Sequence, residues 1–98
     1  MKMIRVKCVF IQEFYELVGR FEVELEVPEN TTVRELIEVI DKRVKPGFKN
    51  MVLNDRGEVK WPVEIAVNGR RIDFLNGLET VLRDGDRVLF SPRALFVV

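Results

Sequence analysis

Cys8 is the one thiol in this 98-residue sequence, and there is no histidine to act beside it. Histidine is the commonest general base, and a reactive cysteine needs an exposed, electropositive setting. Cys8 stands instead in MIRVKCVFI, at the same parity as Ile4, Val6 and Phe10, so it reads as a buried structural thiol. A lone cysteine forms no internal disulfide, and no residue spacing suits a metal. Asp84 and Asp86 offer paired carboxylates, but they flank Gly85 and have no partners at ligand spacing; they read as a turn. Trp61 has the type for a ligand-stacking platform, yet beside Pro62 it reads as partial core. Arg70 and Arg71 follow a hairpin signal and offer charge to an acidic partner or to solvent. No glycine-rich phosphate cradle is present. The chemistry-bearing residues therefore predict no active site, no cofactor and no metal.

Composition narrows the classes further. Apolar residues make up 47% and charged residues 33%, with a formal net charge of zero. That is a globular composition, too apolar for disorder. Each half of the chain balances its charges, nine of each sign over residues 1–49 and seven over 50–98. No basic face points to nucleic acid or anionic lipid. No run approaches the roughly 20 apolar residues of a membrane span, and the start of the chain does not read as a signal peptide. The expectation is a single cytoplasmic domain over residues 1–98, with no nucleic-acid or membrane partner. Abundant charges of both signs also occur in proteins of hot habitats.

The elements follow from periodicity. Residues 3–11 alternate as a half-buried strand. In FEVELEV, Phe21, Val23, Leu25 and Val27 face one way and Glu22, Glu24 and Glu26 the other. An antiparallel pairing sets Arg5 and Lys7 near those glutamates, as a self-paired outer face rather than an acidic docking strip. QEFYELVGR is too long for a tight hairpin; Phe14, Leu17 and Val18 have the spacing of about one helical turn. The clearest helix begins at a Thr32–Glu35 capping box. It carries Val33, Leu36, Ile37, Ile40 and Val44 on one stripe and stops at Pro46-Gly47. Glu38 with Lys42, and Asp41 with Lys45, are four apart in the favourable order. NDRG predicts a small hairpin between Val52–Leu53 and Val59–Trp61. VEIAVNGRRIDF predicts a strand, an Asn68-Gly69 turn and a short strand. Leu78 and Leu82 anchor the following loops, Asp84-Gly85-Asp86 turns the chain, and RVLF is the last strand. Val88 and Phe90 face the core there, and Leu89 faces the other side.

The order strand, strand, helix, hairpin, final strand is an α+β arrangement. It predicts a mixed four- to five-stranded sheet with one main helix packed across one face. The first and last strands are the most continuously apolar, so they are expected side by side and parallel at the centre. This is the ubiquitin-like β-grasp.

Within that order, Ala66-Val67-Asn68-Gly69, Asp84-Gly85-Asp86 and the strand end Val88 to Pro92 resemble the MoaD/ThiS family of sulfur carriers. That family comprises the small subunit of molybdopterin synthase and the thiamine-pathway sulfur carrier. VPENTTVRELIEVI is similar to its strand-to-helix passage, while residues 48–62 match least and Ser91 stands where a proline is frequent. The resemblance implies a larger protein partner: an adenylating activating enzyme, or the molybdopterin synthase large subunit. It also implies a C-terminal Gly-Gly that is adenylated and converted to a thiocarboxylate, because glycine alone passes a narrow channel unobstructed. This sequence departs there. Its glycines stand at 19, 47, 57, 69, 77 and 85, none adjacent, and it reads Phe90-Ser91-Pro92-Arg93-Ala94-Leu95-Phe96-Val97-Val98. The family's sulfur-bearing terminus is therefore not carried onto Val98.

Two functions are expected from this. One is a sulfur-carrier-type protein that docks its sheet face and tail on a larger enzyme, in molybdopterin, tungstopterin or related sulfur-transfer metabolism. The other is a β-grasp binding or structural module without carrier activity, whose apolar tail (residues 91–98) contacts a partner or another copy as an added strand. In both, the expected partner-binding residues are Phe90, Pro92, Arg93, Leu95, Phe96, Val97 and Val98.

Overall fold

The computed structural model describes residues 2–92. Strand β1 (Met3–Phe10) pairs antiparallel with β2 (Glu22–Pro28), and α1 (Glu13–Val18) lies between them in sequence. Helices α2 (Val33–Arg43) and α3 (Phe48–Val52) follow, then the hairpin of β3 (Val63–Val67) and β4 (Arg70–Arg71). Two 3-10 turns (Ile72–Phe74 and Gly77–Glu79) lead to β5 (Arg87–Pro92). The five strands form one mixed sheet in the order β2-β1-β5-β3-β4, with β1 and β5 parallel at its centre. This is the ubiquitin-like β-grasp, and its α+β class is the one that the periodicity predicts.

Alternation decides which face is covered. Ile4, Val6, Cys8 and Phe10 of β1 join Val23 and Val27 of β2 and Val88 and Phe90 of β5 in one buried cluster. Val33, Leu36, Ile37 and Ile40 of α2 close over them, each with no exposed surface. The helix starts where the capping box predicts: the Thr32 hydroxyl accepts from the Glu35 N–H, and the Glu35 carboxylate accepts from the Thr32 N–H. Phe10 and Phe90 stack with ring centres 5.7 Å apart, and Phe48 meets both edge-on at 5.6 and 5.0 Å. Such pairs contribute about 0.5–1.5 kcal/mol each beyond their buried area.

Four local expectations are corrected. Val52, expected to open a hairpin strand, instead ends α3 (residues 48–52), while the NDRG hairpin itself forms through the Leu53–Val59 bridge and backbone bonds from the Asn54 N–H to Glu58 and the Lys60 N–H to Val52. The reason is a distant cap: Asp41 of α2 accepts from the N–H groups of Gly47 and Lys49 and so anchors the start of α3. That bond and an ion pair between Glu38 and Lys49 replace the two expected pairings along α2. Trp61 is 68% exposed, not partial core. Phe21, expected to face inward with Val23, is 51% exposed, because it precedes β2 and lies outside the covered part of the sheet.

Candidate functional site: the open sheet face and the end of β5

The sheet's second face carries no helix. Register across it gives one row through all five strands: Glu22, Val9, Leu89, Ala66 and Arg71. Leu89 is half-buried, and Val9 and Ala66 are 1% and 6% exposed although neither belongs to the cluster beneath α2. An apolar strip thus crosses β1, β5 and β3, with a carboxylate at one end and a guanidinium at the other. The flanking charges are partly paired. Arg87 reaches Glu22 at 3.4 Å, and Arg5 reaches Glu24 and Glu26 at 3.7 and 3.8 Å. Arg71 reaches Glu64 at 3.8 Å and stacks over Phe74 at 4.9 Å. Exposed pairs of this kind contribute at most about 1 kcal/mol each, so they orient the face more than they stabilise it.

The other chemistry-bearing residues have structural places. Cys8 is fully buried, and burial pushes its thiol up to about 12, far from a thiolate at neutral pH. Asp84 accepts from the Arg5 N–H at 2.9 Å and ties the turn to β1. Asp86 accepts from the Asn68 side-chain amide and from the Arg83 N–H, both at 2.8 Å, and ties the turn to the hairpin. Asn68 and Gly69 both take positive φ, 51° and 83°, as the two-residue hairpin requires. Among the described residues, no group of three or more His, Cys, Asp or Glu side chains is placed to hold a metal ion.

Of the expected partner-binding residues, Phe90 is fully buried against Phe10 and Phe48, so its side chain supports the strand from beneath and is not on the surface. Pro92 is half-buried at the end of β5, opposite Val63. Arg93, Leu95, Phe96, Val97 and Val98 lie outside the described residues. What periodicity missed is the joining of Val9, Leu89 and Ala66 into one strip. The available signal was Val9 itself, an apolar residue at the outward parity of β1.

A five-stranded mixed sheet with α2 across one face and the row of Val9, Leu89 and Ala66 on the other defines a small ubiquitin-like protein. The chain belongs to the ThiS family, whose model matches residues 8–92. It is 32% identical over 83 residues to small archaeal modifier protein 3 of Haloferax volcanii, covering 85% of this chain and 88% of that one. It is 34% identical over 64 residues to an Archaeoglobus fulgidus protein provisionally named a sulfur carrier, covering 65% and 72%. A solved structure from Pyrococcus furiosus, provisionally named molybdopterin converting factor subunit 1, superposes with a TM-score of 0.75 at 37% identity, covering 93% of this chain and 99% of that one. No helix among the described residues is long and apolar enough to cross a membrane.

Proposed function

We propose that this protein acts in the cytoplasm as a non-catalytic carrier or modifier subunit that docks on a larger enzyme of sulfur-transfer metabolism, with molybdopterin or tungstopterin synthesis the favoured setting. The observation that carries this is the apolar row of Val9, Leu89 and Ala66 on the helix-free face, in which Leu89 is the partly exposed member. It lies on the central strands, immediately before the segment that the family uses for chemistry. A partner seated there covers Leu89, while Glu22 and Arg71 at the ends of the row fix the orientation through complementary charge. The named likeness to a molybdopterin converting factor subunit supports the choice of pathway. The row supports the docking role, and the mass of the terminus tests the sulfur-donating step.

The test is co-purification of the native chain, followed by intact-mass measurement with its activating enzyme, ATP and a sulfide source present. An adenylating enzyme or a molybdopterin synthase large subunit should co-purify, and Leu89→Asp should abolish the association while leaving the fold intact. If only self-association is found, the protein is the binding or oligomer-forming module instead. If the enzyme binds but no thiocarboxylate ever forms, the docking role stands and the donor role is lost.

A further inference from the structure

A second surface lies at the other end of the sheet. The C-terminal residue of β3, the start of β4 and the loop before β5 enclose an open groove of about 460 Å³. Val67 forms its buried floor, and Leu75 and Val81 form apolar walls that are 38% and 48% exposed. Arg70 and Arg83 line the same groove. Neither guanidinium has an acidic partner among the described residues. The groove's one carboxylate, Asp86, is engaged at both oxygens, by the Asn68 side-chain amide and the Arg83 N–H. Among the described residues, the groove therefore presents two cations without an acidic partner beside an apolar floor and wall.

We propose that this groove is a docking site for an acidic, extended peptide segment of a partner protein, with an apolar side chain against Leu75 and Val81 and carboxylates on Arg70 and Arg83. Charge complementarity selects this occupant. A basic segment meets two like charges, and a purely apolar one leaves both guanidinia unanswered. A nucleic-acid backbone satisfies the cations but brings no aliphatic group to the apolar wall. The groove lies at the start of β5, whereas the C-terminal segment leaves from the far end of that strand, roughly 20 Å away for six extended residues. The protein can thus be held at one pole while its tail end is engaged at the other. This site does not depend on the sulfur-transfer assignment.

The test is a titration of isotope-labelled protein with the capped synthetic peptide Glu-Leu-Asp-Leu-Glu, followed by amide chemical shifts. Shifts should concentrate at Val67, Leu75, Val81 and Arg83. The double variant Arg70→Glu, Arg83→Glu should weaken binding at least about tenfold, and added salt should weaken it in the wild type. Leu75→Ser, which leaves the charge unchanged, should weaken it as well. The proposal is overturned if the shifts fall elsewhere or are absent, or if the charge-reversed protein binds equally well. It is equally overturned if Lys-Leu-Lys-Leu-Lys binds as tightly, or if a short oligouridylate competes for the same residues with higher affinity.

Discussion

Cys8 carries a thiol that burial raises from the usual value of 9.0 to about 12. The neutral thiol is the form the fold favours, so this contribution to stability is complete below about pH 9 and is lost as pH rises towards 12. Urea unfolding midpoints should fall across that window, and the part due to Cys8 should vanish in Cys8→Val. Native protein at pH 8 should also resist alkylation by iodoacetamide until it is denatured. Asp86 contributes through hydrogen bonds that tie the turn to the hairpin. Asp86→Ala removes the partner of both Asn68 and the Arg83 N–H, and denaturant titration should show a loss of about 1.5–3 kcal/mol.

At the scale of elements, α2 and α3 depend on different kinds of cap. The α2 cap is local, so Thr32→Ala should cost about 1 kcal/mol in unfolding free energy. The α3 cap comes from Asp41, six and eight residues upstream of the groups it binds. Asp41→Ala should therefore speed amide hydrogen exchange within α3 while leaving β1 and β5 protected. Phe48 is the reason α3 matters: its ring fills the space beside Phe10, Phe14 and Phe90. Phe48→Ala should cost about 3–5 kcal/mol, measured by the same unfolding experiment.

For the whole molecule, the central pair of parallel strands sets two ends with different roles. The helix-free face around Leu89 and the end of β5 belong to the proposed enzyme contact, and the groove beside Asn68 to the proposed peptide contact. If both hold, Leu89→Asp should abolish enzyme association without changing the peptide titration. Arg70→Glu with Arg83→Glu should do the reverse. Mutual loss in both variants, seen by chemical-shift mapping and co-purification, would instead mean one continuous interface.

The sequence alone determined the five sheet strands, α2 and the Asn68-Gly69 hairpin, because each rests on short-range period, capping or turn chemistry, and the parallel central pair followed from the two most continuously apolar strands. Val88, Phe90 and Leu89 were assigned to their correct faces by alternation alone. Absence of histidine and of adjacent glycines was equally legible, since composition needs no fold. Tertiary structure decided the rest. Residues 48–52 became a helix because a carboxylate from α2 satisfies its first N–H groups, which no local pattern encodes. Trp61 stands exposed in the turn before β3, outside the aromatic core of Phe10, Phe48 and Phe90. The apolar strip joins positions 9, 66 and 89, and only strand register places them in one row. Sequence period tells which face a side chain takes; it does not tell which distant side chain stands beside it.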